Sequence, residues 1–479
     1  MSVLSDLCPV ASTGSFRPED PALPYALLGP NDRKVLAELG ESKKVVGIVV
    51  RAKNVFFEDV RGLAEGKPEN AALVAVVPRT CLRIEENEKV FDWIIYYDNS
   101  GCVYRELKTT NHVSYPELHK LGQELVELIP KEKIQLIHTE ERTITELCRI
   151  RERHGLQAYP KDVDGMCRKE LLAKIAQNSE IPVAKTVFLE FTQIHDTTQL
   201  LNKVKLEIGA FPMFAKPNRM SGSAGIAKIT TIEQLEKWIV ERSTDEVPVD
   251  YVIQEFVEGK HFGVTVLLLP DGTSEVLFVY HLLGSTAQET ILKGKPLVVA
   301  GLNPAAAFNG KFPNLDKFSQ KVVNAFQPVF PQILFIQGFQ LTPGADQYVL
   351  NELNYRPNGD RSMTVSYHSC GISLYTALIL AHLDPHYQPK TYPGWKPQTA
   401  TLIAYPFRRG VLRSHNDESL RENVRSNCMV EWCQKPGVHM TNPLHISDML
   451  VKILLYSKTE RDRDADVEWI CSEWNPDVV

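Results

Sequence analysis

The sequence predicts a chain of mixed α/β and α+β class. A doubly wound parallel sheet comes first, then a two-lobed central region, then a small C-terminal domain. Three observations predict it. Between residues 41 and 160, short continuous apolar runs alternate with helical periodicities, as strands covered on both faces require. Residues 260–360 hold four strand-like runs in close succession, which suits antiparallel pairing. A last stretch opens on another strand-like run at 400–405. The bounds that follow are 1–40 for an N-terminal extension, 41–160 for the parallel-sheet domain, 161–400 for the central region with a lid lobe at about 185–255, and 401–479 for the C-terminal domain.

The first strand is Val45–Val50, followed by runs at 71–77, Trp93–Tyr97 and Ile134–His138. Between them Leu118, Leu121, Leu125 and Leu128 share one helical face that stops at Pro130. No GxGxxG follows the first strand, so a dinucleotide site is not expected there. Residues 164–176 carry a helical pattern that ends before Ile181-Pro182. A strand at Thr186–Leu189, a helix near 193–207 and a strand at 212–215 come next. The denser strands lie at 263–269, 275–283, 333–341 and 347–353. Near the end, Ile446, Leu450 and Ile453 are spaced for one face of a helix. There is no internal repeat and no low-complexity tract.

With 479 residues, 43% hydrophobic and 23% charged, the chain is an ordinary globular protein of about three domains. A net charge of -6 argues against a nucleic-acid groove or a polybasic membrane patch. Nine cysteines, scattered without CxxC pairs, argue against a disulfide framework or structural zinc and for a cytoplasmic, reducing location. Residues 1–27 lack the pattern of a signal peptide, and no apolar run approaches the roughly 20 residues of a membrane span.

Three segments carry chemistry. In Phe211-Pro-Met-Phe-Ala-Lys216-Pro217 a strand ends on a lysine, and the small-residue loop Ser221, Gly222, Ser223, Ala224, Gly225 follows. Small residues let backbone N–H groups approach phosphate oxygens, and the lysine adds positive charge. A flexible hairpin turn explains the same residues about equally well. In Tyr251-Val-Ile-Gln-Glu255-Phe-Val257-Glu258-Gly259 an apolar strand runs into a glutamate and a glycine turn, as a purine-binding hinge needs. Taken alone, an ordinary strand end is the better reading. In Tyr348-Val-Leu-Asn351-Glu352-Leu353-Asn354-Tyr355-Arg356-Pro357, strand alternation puts Glu352, Asn354 and Arg356 on one face, opposite Val349 and Leu353. Leu350 is the apolar exception on that face. A carboxylate, an amide oxygen and a guanidinium together suit a metal–phosphate site. Gln340 lies on the partner strand.

In this order and spacing the segments resemble the ATP-grasp superfamily over about residues 45–460. The resemblance implies ATP and Mg²⁺ (or Mn²⁺) as cofactors. It implies that Lys169 and Lys216 contact the nucleotide and that Ser221, Gly222, Ser223 and Gly225 cover the phosphates and exclude water. It places adenine at Glu255 and Val257, and magnesium at Glu352, Asn354 and Gln340. Arg356 stabilises the transferred phosphoryl group. There are three departures. Arg168 stands where the family has an aspartate, and His261 stands where it has a ribose-binding acid. Gln340 replaces an acid, as in carbamoyl-phosphate synthetases.

Glu146 to Leu156 (ELCRIRERHGL), Arg168-Lys169 and Asn354 to Asp360 (NYRPNGD) are similar to amino-acid ligases of the carnosine-synthase and bacilysin-synthase type. That implies an ATP-dependent carboxylate–amine ligase working through an acyl-phosphate. The substrates are then small molecules, amino acids among them, and a homodimer is a common assembly. His281, in the run at 275–283, is a candidate catalytic contact, although a lone strand histidine is more often a core residue. Glu289 and Lys293 are candidates for the acceptor side, with a solvated loop as the better reading. Two rival readings are a carboxylase or carbamoyl-phosphate-synthetase-like enzyme and an inactive nucleotide-binding protein.

Overall fold

A computed structural model describes residues 27–52, 60–79, 81, 89–97, 103–104, 113–114, 116–156, 163–193, 196–219, 225–245, 249–359 and 361–479. The first sheet is parallel, in the order Trp93–Tyr97, Ala71–Pro78, Val45–Val50, Ile134–His138. One face packs Val46, Ile48 and Val74 against Leu36, Leu121, Leu125 and Leu147 of three helices. The other face, with Val49, Leu73 and Ala75, is covered by a helix from much later in the chain, Leu374–Leu383. All ten residues of that helix are buried, because its far side meets Leu267, Leu277 and Ile333 of the largest sheet. A helix that is apolar all round is a buried one. Gly47 permits the approach, since a Cβ there would lie 2.7 Å from Leu383 Cδ2.

A small antiparallel sheet follows, ordered Thr186–Leu189, Tyr251–Glu255, Met213–Pro217, Ala227–Ile229. Two helices, Thr197–Glu207 and Ile232–Ser243, cover one face with Leu200, Val204, Leu235 and Ile239. Asp196 and Thr231 cap them, each side-chain oxygen accepting from backbone N–H groups of the first turn.

The largest sheet has eight antiparallel strands, ordered Tyr348–Asn354, Gln332–Gln340, Lys260–Leu268, Ser274–Leu282, Leu297–Leu302, Thr399–Pro406, Met449–Ser457, Asn427–Trp432. The mixed class and both kinds of sheet are as the sequence predicts. Two local expectations need correcting. The spacing of Ile446, Leu450 and Ile453 does not mark a helix: Met449–Ser457 is a strand. It lies between two neighbours and is buried on both faces, so apolar residues recur at every spacing. The helical pattern at 164–176 is two helices, Asp164–Cys167 and Lys169–Asn178, broken at Arg168, whose backbone is extended. Among the described residues no helix is long and apolar enough to cross a membrane.

Candidate active site

Tyr348–Asn354 carries a β-bulge. Glu352 sits opposite Gln337 and Leu350 opposite Gly338, which leaves Asn351 as the extra residue. Simple alternation would put Leu350 on the polar face. The bulge instead turns both Leu350 and Leu353 into the core with Phe262, Val264 and Ile336. Asn351 accepts a hydrogen bond from Lys216 Nζ at 2.9 Å, which joins the small sheet to the large one.

Lys216 is half-buried, and desolvation, with Lys169 next and Glu352 opposing, lowers its pKa to about 8. Lys169 is the first residue of its helix. Its N–H donates to Asn218 O at 3.1 Å, and the N–H of Glu170 donates to Asn218 Oδ1 at 3.1 Å. Asn218, two residues after Lys216, thus satisfies helix-end donors that no adjacent residue caps. It locks the two lysines together. Glu141, Arg168, Lys169, Glu352 and Asn354 line one cleft. Arg356, just past the strand, donates through Nη2 to Glu141 Oε2 at 2.7 Å and through Nη1 to Pro357 O at 2.8 Å.

Tyr280 completes this face. Its hydroxyl accepts from Gln337 Nε2 at 2.8 Å, and burial pushes its phenol pKa up, with Glu352 adding to the shift. Gly263 makes room for the ring, since a Cβ there would lie 2.2 Å from it. His261 packs its ring edge-on to Phe339. Burial first, then Lys216, lowers its pKa to about 4, so it is neutral near pH 7.

Two candidates are not in this site. His281 faces the opposite side of the sheet from Tyr280, against Phe312 in the core. Successive strand residues alternate faces, so one position decides it. Gln340 pairs with Tyr348 at the far end of the hairpin, and its Nε2 donates to Lys311 O and Ala345 O. The residue across from Glu352 is Gln337.

Glu255 Oε1 accepts from the Lys185 N–H at 2.9 Å, fastening the edge of the small sheet where the chain leaves for the large one. Val257 lies half-buried in that link. Gly225, with φ +68°, precedes the return strand. Ser221, Gly222 and Ser223 lie outside the described residues. Glu289 and Lys293 pair with each other at 2.8 Å within the helix Ala287–Lys293.

Residues 175–287 match the family described as D-ala D-ala ligase C-terminus. An L-amino acid ligase from Bacillus licheniformis has a similar structure, with a TM-score of 0.61 and 13% identity over 88% of this chain and 96% of that one. The chain has the ATP-grasp fold. Carboxyaminoimidazole ribonucleotide synthase from Aspergillus clavatus, complexed with ATP, shares that fold with a TM-score of 0.57 and 13% identity, over 89% of this chain and 97% of that one. Phosphoribosylglycinamide synthetase from Anaerococcus prevotii does so with a TM-score of 0.53 and 13% identity, over 91% and 100%. No curated protein matches by sequence.

Within the ATP-grasp fold, sequence reasoning missed four residues of the site. Asn218 and Glu141 act across long sequence separations. Gln337 depends on the bulge. Tyr280 was signalled only by the glycine opposite it, Gly263.

Proposed function

We propose that the protein is an ATP-dependent carboxylate–amine ligase acting on small molecules, amino acids among them. The observation that carries this reading is the convergence of Lys169 and Lys216 on the cleft that holds Glu352 and Asn354, with Arg356 beside it. Two cations facing a carboxylate and an amide make a place for a polyphosphate and its counter-ion.

The γ-phosphoryl group of ATP passes to a substrate carboxylate, releasing ADP and leaving an acyl-phosphate. An amine attacks the carbonyl carbon, the C–N bond forms, phosphate leaves and the amine loses a proton. The protein's part is position and charge. Lys169 and Lys216 hold the phosphates. Arg356, aimed by Glu141, meets charge on the transferred group. Tyr280 and neutral His261 close the floor beside them.

Glu352, Asn354 and Gln337 offer only oxygen ligands, which fits magnesium. Among the described residues no three His, Cys, Asp or Glu side chains cluster as a metal site. A magnesium ion would be held by the side-chain oxygens of Glu352, Asn354 and Gln337. Once bound, it supplies charge to the phosphates. A cytosolic location agrees with the scattered, unpaired spacing of the cysteines.

Gln337 favours one second reading, carboxylation or carbamate formation, because an amide takes the place of an acid opposite Glu352. ADP release with Mg²⁺-ATP, measured across a panel of amino-acid pairs and with bicarbonate, tests both. Release that requires a carboxylate and an amine, and vanishes in Glu352→Ala, supports the ligase. Release that requires bicarbonate moves the reading to carboxylation. If ATP neither turns over nor raises the melting temperature, both readings fall.

A further inference from the structure

The face of the large sheet turned away from the nucleotide cleft carries a row of buried polar groups with no hydrogen-bond partner among the described residues. His281, Ala300 and Thr401 are cross-strand neighbours on three adjacent strands. His281 is 1% exposed and both its ring nitrogens are unpartnered. Thr401 is 0% exposed and its Oγ1 is unpartnered. Ala300, between them, is fully buried and adds no polar group of its own side chain. Near this row, the start of the helix Glu460–Glu473 brings Arg463, 2% exposed, whose Nη1 makes no hydrogen bond and lies 3.8 Å from Glu460 Oε1. Buried polar groups are almost always satisfied, so a row of them calls for a ligand.

Charge says which ligand. Lys311 Nζ lies 2.7 Å from Glu460 Oε1, and Lys260 Nζ lies 5.5 Å from the centre of the Phe312 ring that packs on His281. Three cations, Lys260, Lys311 and Arg463, thus gather around neutral His281. Their acidic partners, Glu460 and Asp464, have side chains 51% and 59% exposed. Water would satisfy the hydrogen bonds, but it would leave the surplus positive charge in place. We propose that this back-face row of polar groups binds a small oxyanion of phosphate size, held by Arg463, Lys260 and Lys311, with Thr401 and His281 donating to it. The anion would tie the C-terminal helix to the strand that leaves the hinge between the two sheets.

The test is isothermal titration of the full chain with inorganic phosphate at constant ionic strength. We expect saturable binding of one phosphate per chain, weakened about tenfold or more by Lys260→Met and by Thr401→Val, since a charge-assisted or buried donor is lost in each. Lys216→Met, on the opposite face, should leave it unchanged. The proposal is overturned if no saturable binding occurs up to about 50 mM phosphate, a range in which even a weak site of this kind would show. It is equally overturned if Lys216→Met abolishes binding while Lys260→Met and Thr401→Val retain it. That result would place the anion in the nucleotide cleft. Should circular dichroism show that Lys260→Met fails to fold, the near-isosteric Thr401→Val decides.

Discussion

Glu141, in the first turn of a helix of the parallel-sheet domain, holds Arg356, at the exit of the last strand of the central hairpin, at 2.7 Å. The two residues are 215 positions apart. Both side chains are largely sheltered, so the pair is screened less than a surface bridge. Its geometric effect is to aim the guanidinium, whose other nitrogen is fixed on Pro357 O.

From this pair we predict that Glu141→Gln lowers kcat about 10- to 100-fold, the usual result of misplacing a charge-stabilising group by about an ångström. The KM for ATP should change little, because Lys169 and Lys216 remain. Steady-state ADP release measures both. An unchanged kcat with a lower melting temperature would make the pair structural only.

Lys216 gives a pH prediction. Its free-state pKa of about 8 lies below the ordinary lysine value, because burial and Lys169 disfavour its charge. Phosphate oxygens favour that charge, so nucleotide binding raises the pKa and takes up a proton. Affinity is therefore full below pH 8 and declines as pH rises through about 8. ATP titrations between pH 7 and pH 9.5 should show this decline, and Lys216→Met should flatten it. A wild-type profile flat across that range would contradict the assignment.

The hairpin register predicts opposite outcomes for two glutamines. Gln337→Glu places a second acid beside Glu352 and should lower the magnesium concentration giving half-maximal activity. Gln340→Glu buries a carboxylate beside the carbonyls of Lys311 and Ala345, and should destabilise the fold by a few kcal/mol without changing the magnesium response. Magnesium titrations and urea unfolding of both variants separate them. Equal magnesium curves for Gln337→Glu and wild type would count against the site.

Asn218 is the fourth test. Asn218→Ala removes the acceptor on the Glu170 N–H and should cost about 1 kcal/mol, as loss of a helix cap does. Because the same residue joins Lys169 to Lys216, the KM for ATP should rise as well. A stability loss with no change in KM would limit Asn218 to capping.

Much of the architecture was legible because its signals are local. Val45–Val50 is apolar at every position but Gly47, and it is a strand covered on both faces. Lys169, Glu352 and Asn354 stood out in the sequence by residue type and spacing, and the cleft does bring these three together. What stayed hidden depends on pairing. A single inserted residue, Asn351, moves the partner of Glu352 from Ile336 to Gln337, and no composition rule reveals an insertion of one. Tyr280 and His281 are equally plausible neighbours in sequence, and only the sheet says which faces the cleft. Met449–Ser457 shows the converse limit: where both faces are buried, periodicity carries no information.

The helix Leu374–Leu383 sets the order in which the protein can be made. The parallel sheet leaves the ribosome complete at His138, yet the helix that covers its second face emerges some 240 residues later. At about 5–20 residues per second, Leu73, Ala75 and Val77 face water or a chaperone for roughly ten seconds to a minute. The first domain of this chain is therefore sealed only after the strands from Lys260 to Asn354 have been made.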